Sequence, residues 1–267
     1  MDRTNWKFGK IHINILTVGV IVHNVAIPIA WTCLPKKTKR GNSSTKHRIT
    51  IFKRILKLLE ANEIEFLAMD REFGGEKWLS WLDKQGVAYI VRVKSNTVVG
   101  NKLAHQYHST RSKKSPYELT NVWGMNVFFA CKTITSKGKR GERLHVISNR
   151  FSGPEMLELY KQRWGIELLF SHLKKRGFNL EDTHMTSGTK IEKLFAIVTL
   201  GFLFCYAWGC ELRSISKQTK ATKRKSHFRL GIEDILRMLN NPHLNEKELT
   251  SFIRWLKQPF WGGIFVV

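Results

Sequence analysis

Residues 11–34, IHINILTVGVIVHNVAIPIAWTCL, constrain the fold most: Val and Ile dominate the run, and Asn24 divides it. β-Branched side chains suit a pleated surface and lose rotamer freedom in a helix. The run therefore reads as two strands of a hairpin or meander. After a polar, basic connection at 36–47 the period changes. Residues 49–61, ITIFKRILKLLEA, carry apolar groups at helical spacing. Residues 64–69, IEFLAM, form a short apolar strand that ends at Asp70. FGGEKWLSWLDKQG is a helix that opens after glycines and is closed by Gly86. VAYIVRVKS is a further strand, with Arg92 and Lys94 on one face. Strands alternating with helices in this order predict an α/β layer on a mixed sheet, with functional groups at the ends of central strands.

Residues 96–150 differ in character, with ten Lys plus Arg against two acids and alternating strand-like segments around NVWGMNVFFACKTI and RLHVIS. They are expected to form a small β module inserted before the next helix, with SKGKRGE as a basic hairpin tip. Ser152, Pro154 and Glu155 mark a helix start, with Ser152 as N-cap. Residues 194–210, LFAIVTLGFLFCYAWGC, lack any charge. They lie near the short limit of a membrane span and are read as a buried core helix. Residues 217–229 carry six Lys plus Arg and no acid, and two short helical patterns follow. The expected segments are 1–95, the first part of the core; 96–150, the β-rich insertion; 151–210, the Glu167 helix and core helix; and 211–267, a basic helical tail.

The chain has 267 residues and carries 45 Lys plus Arg against 21 Asp plus Glu, a net charge of +24, yet 42% of it is hydrophobic. That excludes a disordered basic tail and points to a folded domain that meets a polyanion, nucleic acid first. The four cysteines, Cys33, Cys131, Cys205 and Cys210, show no zinc-ligand spacing and read as buried thiols in a reducing compartment. The start of the sequence carries no signal-peptide pattern.

Three acids stand out: Asp2 in DRTNW, Asp70 in AMDREF, and Glu167. Converging from two strand ends and a helix, they could hold two divalent cations for phosphodiester cleavage, and Mg²⁺ suits all-carboxylate ligation. Each also has a structural reading. An Asp at a strand end caps turns, and Glu167 has Arg163 at the i−4 position. Tyr160, Arg163, Glu167 and Lys174 sit at offsets 0, 3, 7 and 14 of a predicted helix, within roughly 60° of one another at about 100° per residue. Leu159, Ile166, Phe170 and Leu173 form the apolar arc beside that stripe. Arg and Lys would neutralise phosphates, and Tyr would donate to a phosphate or pack on a sugar or base.

The spacing Tyr160-x2-Arg163-x3-Glu167-x6-Lys174 resembles the Y-(2)-R-(3)-E-(6)-K signature of one large family of bacterial insertion-sequence DDE transposases. DRTNW and DREF resemble its blocks around the first two catalytic aspartates. The resemblance covers essentially the whole chain. It implies an RNase H-like catalytic domain whose metal triad is Asp2, Asp70 and Glu167, loaded with two Mg²⁺ or Mn²⁺ ions. It implies that Tyr160, Arg163 and Lys174 grip transposon-end DNA, with Arg92 and Lys94 as further DNA-binding candidates. Relatives stack a flipped base on an aromatic residue of the β insertion, which makes Trp123 a candidate, against a reading as a core residue. The implied partner is double-stranded DNA, both element ends and target. The resemblance is compatible with a homodimer on that DNA and with a cytoplasmic, nucleoid-associated protein, and no membrane partner is expected. The implied reaction is hydrolytic nicking followed by attack of the freed 3′-OH on target DNA.

Members usually carry a DNA-binding region and an apolar half-strand before the first aspartate. With Asp2 as the second residue, the expectation is an N-terminally truncated chain, inactive alone, in which Asp2 is poorly fixed. The competing readings are a non-catalytic nucleic-acid-binding protein and a nuclease on the same core.

Overall fold

The computed structural model describes residues 1–35, 42–108, 119–136, 139–215 and 225–257. The basic stretches at 36–41, 137–138 and 216–224 lie outside the described residues. The chain divides into two compact units, Met1–Leu168 and Leu169–Val267.

In the first unit, β1 (Asp2–Phe8), β2 (Ile11–Val22) and β3 (Val25–Cys33) form an antiparallel sheet in that order. The β2–β3 turn falls at His23-Asn24, with φ of 46° and 67°. That is the two-residue left-handed turn whose twist matches the flanking strands. β1 is not apparent in the sequence. DRTNWKF is mostly polar and buries only Thr4 and Trp6, so pairing with β2 rather than apolar content makes it a strand.

α1 (Thr45–Ile55) begins and ends earlier than its apolar pattern suggests. Ser44 sets the start: its Oγ accepts from His47 N at 3.3 Å while His47 Nδ1 accepts from Ser44 N at 3.4 Å. β4 (Leu67–Met69), α2 (Glu76–Lys84) and β5 (Tyr89–Arg92) follow, the two strands parallel with Met69 opposite Val91. β6 (Val98–Val99) and β7 (Lys102–Leu103) make a small separate pair.

β8 (Leu119–Val122), β9 (Met125–Ser136) and β10 (Lys139–Ser148) give residues 96–150 their expected β character. They do not stand apart as a module. β10 pairs antiparallel with β5, and one five-stranded mixed sheet runs β4-β5-β10-β9-β8. The Met1 nitrogen donates to Ala68 O at 2.9 Å and so ties the start of β1 to β4.

Both faces of β5 are covered. Tyr89 and Val91 join Leu16, Phe52, Met69 and Trp78 in one core, and Ile90 joins Val146, Met156 and Tyr160 in another. The second core lies under α3 (Gly153–Lys161), and α4 (Trp164–Lys174) follows. Ser152 takes the N-cap position as expected but makes no side-chain cap bond. Ser148 Oγ instead accepts from Arg150 N at 3.2 Å and Phe151 N at 3.0 Å.

The second unit is helical. α5 (Gly188–Ile215) holds the charge-free run, and α6 (His227–Asn240) and α7 (Glu246–Leu256) follow. α5 is long and apolar enough to cross a membrane by length and composition, and half of its most apolar window is buried within the protein. Its buried face packs on α6, with the Phe202 and Phe228 rings 5.0 Å apart. Glycines permit that approach: a Cβ on Gly209 would lie 1.8 Å from His227 O, and one on Gly231 1.7 Å from Cys205 O. Ile197, Leu200 and Phe204 remain exposed on α5.

Candidate active site

Asp2 and Asp70 stand at neighbouring strand ends. Asp2 is the first residue of β1, opposite Thr17 of β2, and Asp70 directly follows β4. Asp2 is not loosely held, contrary to the expectation for a residue so near the end of the sequence. Its side chain is 14% exposed. One oxygen accepts from Arg3 N at 2.7 Å and the other from Arg163 Nη1 at 3.1 Å. Pairing along all of β1 and the bond from Met1 N to Ala68 O supply its anchoring. Burial pushes the Asp2 carboxyl up to about 6 and the charge of Asp70 adds to this, against the pull of Arg3 N–H and Arg163.

Asp70 Oδ1 is buried without a hydrogen-bond partner among the described residues. Asp70 lines a cleft of about 720 Å³ with Arg3, Arg71, Glu72, Lys94 and Trp123. An unpartnered buried carboxylate oxygen costs free energy as it stands and is apt to take a cation or donor.

The third acid arrives by a broken helix. The stripe drawn on one straight helix is interrupted at Gln162-Arg163, where i→i+3 bonds (Gln162 N to Leu159 O, Arg163 N to Tyr160 O, both 3.1 Å) separate α3 from α4. Gly165 explains the turn, for a Cβ there would lie 2.9 Å from Asn24 O. Arg163 nevertheless stays central. Its guanidinium ion-pairs with Asp2 and with Glu167 and lies 5.6 Å from the centre of the Tyr160 ring. Burial opposes its charge, yet Tyr160, Glu167 and Asp2 together hold it more firmly protonated than an ordinary arginine. Tyr160 is buried, and its hydroxyl finds no hydrogen-bond partner among the described residues. Burial pushes it up to about 12, with Asp70 adding and Arg163 opposing.

Lys174 belongs to the second unit, where its ammonium meets Glu181 at 2.5 Å. Arg92 ends β5 and pairs with Glu142, while Lys94 lies beyond the strand and lines the cleft. Trp123 is half-buried: it packs against the main hydrophobic core and also lines the cleft. It occupies the two-residue β8–β9 turn at φ 54°, with Gly124 at 81°. A bulky residue in that region is strained. Its ring overlies the Gly74 backbone, where a Cβ would come within 2.8 Å.

A polar network behind the two aspartates is not apparent in the sequence. Arg3 Nη2 and Glu72 Oε2 are 3.0 Å apart, and Arg3 Nη1 donates to Asn14 Oδ1 at 2.7 Å. Ser43 Oγ donates to Glu72 Oε1 at 3.3 Å, and Arg48 Nη2 donates to Glu72 O at 2.8 Å. The only signal is that DRTNW and DREF each place a charged residue within two positions of an aspartate.

Asp2 and Asp70, largely shielded and mutually repelling, fit a hard divalent cation. Glu167 is held by Arg163, and among the described residues no three His, Cys, Asp or Glu side chains are gathered in ligating geometry.

Residues 38–204 match the family model described as transposase DDE domain. The match contains Asp70 and Glu167; Asp2 lies before it. No curated protein matches the chain.

Proposed function

This chain belongs to the transposase DDE domain family, since the match spans more than half of it, and we propose that it is the catalytic domain of an insertion-sequence transposase. It would hydrolyse phosphodiester bonds at element ends and transfer the freed strands. The observation that carries this reading is the charged knot at the strand ends. Asp2 and Asp70 interact across neighbouring strands, and one arginine bridges Asp2 to Glu167. The strand succession supports it too. β3-β2-β1, tied through Met1 to β4-β5, has the order of an RNase H-like sheet with Asp2 and Asp70 on its neighbouring middle strands.

Asp2, Asp70 and Glu167 would hold divalent cations, Mg²⁺ or Mn²⁺, which when bound activate a water and offset charge on the leaving oxygen. Water oxygen bonds to phosphorus as the P–O3′ bond breaks, leaving a 3′-hydroxyl on the element end. That hydroxyl then attacks a target phosphodiester, forming one P–O bond as another breaks. Tyr160 and Arg163 lie beside the acids and would hold a strand phosphate there. Lys174 would add a cation, and Trp123 would offer its ring to a base unstacked from the duplex. Double-stranded DNA is the partner that the net charge of +24 favours.

One observation favours a second reading, a non-catalytic DNA-binding role: Glu167 is already ion-paired with Arg163. A nicking assay on end-sequence DNA with Mg²⁺ or Mn²⁺ separates the two. Cleavage should occur and drop by at least about a thousandfold in Asp70→Ala and Glu167→Ala. Metal-independent DNA binding without cleavage would overturn the catalytic reading.

A further inference from the structure

A second cavity of about 230 Å³ is lined by Arg71, Arg92, Lys94, Arg143, His105, His145 and Glu142. Four permanent cations thus face one carboxylate in a space too small for a base pair. The cations come from separate places in the chain. Arg71 follows β4, Arg92 and Lys94 come from the end of β5, and Arg143 lies on β10, so the sheet's own pairing assembles them.

A built feature distinguishes this pocket from a solvated basic face. His145 is 3% exposed, and its Nε2 has no hydrogen-bond partner among the described residues. Its backbone is held by the strand pairing, with His145 O accepting from Val93 N at 2.9 Å, and its ring stacks on Phe129 at 6.3 Å between centres. Arg143 Nη1 donates to His105 O at 2.6 Å, which ties the wall strand to the loop that carries His105. A buried nitrogen among four cations lacks a hydrogen-bond partner, and in the tautomer that carries Nε2–H a phosphate oxygen is the strong acceptor that such a set recognises. Glu142, itself exposed, currently pairs with Arg92 and presents a carboxylate where that acceptor would go. Arg71 and Lys94 also line the larger cleft that contains Asp70, so one strand can run along both.

We propose that this pocket seats a backbone phosphate of the DNA strand lying over Asp70, with His145 Nε2–H and the Arg92 and Arg143 guanidiniums as donors and Glu142 displaced on binding. The proposal rests on the DNA-processing role above but names a contact outside the carboxylate centre.

The test uses the full chain and a labelled DNA duplex, with affinity measured by anisotropy across a salt series. Arg143→Ala should weaken binding roughly tenfold, as expected when a charge-assisted hydrogen bond is lost, and should lower the log–log salt slope by about one. Glu142→Gln, on an exposed side chain whose loss leaves the fold intact, should tighten binding several-fold. In ¹⁵N-histidine-labelled protein the His145 Nε2 resonance should move on adding DNA. Unchanged affinity and slope in both variants with an unmoved His145 signal would overturn the proposal. So would a His145 signal that moves with inorganic phosphate but not with DNA, which would mark a site for a small free anion. Nicking of the same duplex, followed in parallel, separates the two ideas. Variants that alter affinity while no metal supports cleavage would leave the pocket standing and the transposase reading refuted. Cleavage with silent variants would do the reverse.

Discussion

At the residue scale, Asp2 and Asp70 depend on a neighbouring pair that sits far apart in sequence. Arg3 follows Asp2, Glu72 lies two after Asp70, and the side chains of this pair are only 13% and 15% exposed. Breaking a buried ion pair strands a charge and costs about 3–5 kcal/mol, whereas replacing both partners with apolar groups is often nearly neutral. Arg3→Met alone should therefore destabilise the protein by about that much in urea melts, and Arg3→Met with Glu72→Met should recover most of the loss. Full additivity of the two single losses would refute the coupling.

Asp2 makes a second prediction, on pH. Its folded value of about 6 lies above the ordinary 3.8, so the native state binds this proton more tightly than the unfolded chain. The stabilisation is complete below about pH 4 and is lost as pH rises through about 6. Without divalent cations, Asp2→Asn should gain stability relative to the parent across that window and level off above it. A stability difference constant from pH 4 to 8 would count against the buried, charge-strained Asp2. Asp2, Asp70 and Glu167 could be singled out because residue types and motif spacings are local facts. The Arg3–Glu72 pair was not, because it joins positions 69 residues apart, and no periodicity encodes that.

At the element scale, the straight-helix stripe failed at one point, between Lys161 and Trp164. Gly165 is the one local hint of the break: no Pro occurs there, and helical spacing alone would run on to Lys174. The cause is tertiary. Gly165 lets α4 settle against the β2–β3 turn, for a Cβ there would lie 2.9 Å from Asn24 O and press on Ile21 Cδ1 at 3.1 Å and Ala26 N at 3.2 Å. Gly165→Ala should cost about 1–3 kcal/mol by overpacking. Because Glu167 is two residues further on, cleavage should fall by more than the lost stability explains when assayed well below the melting temperature. Equal losses in both would show that α4 placement does not control the acid. Residues 96–150 teach the same lesson. Their alternation announced strands correctly, but which strand they would join is not a local property. β10 found the open edge of β5, so the expected insertion became three further strands of the core sheet.

At the scale of the whole molecule, the net charge of +24 acts in opposite directions on the free and the DNA-bound protein. In the free protein like charges repel, and that repulsion destabilises the compact state. Salt shortens the screening length to about 8–10 Å near physiological strength and relieves it. The melting temperature of the free protein should therefore rise with NaCl. The bound protein gains stability by mass action, about 2.7 kcal/mol when DNA is at a hundred times its Kd. Salt removes that gain: with roughly six to ten phosphates neutralised, affinity falls about 10³–10⁵-fold between roughly 50 and 200 mM. A hundredfold excess over Kd at the lower salt is then no excess at the higher. The two melting curves should converge, the free one rising as the increment from DNA vanishes. Composition alone announces the charge, but its use depends on the fold, which gathers Arg71, Arg92, Lys94 and Arg143 around one pocket beside the cleft of Asp70. An increment from DNA that survives high salt would mean that apolar or base contacts, rather than these phosphate contacts, dominate binding.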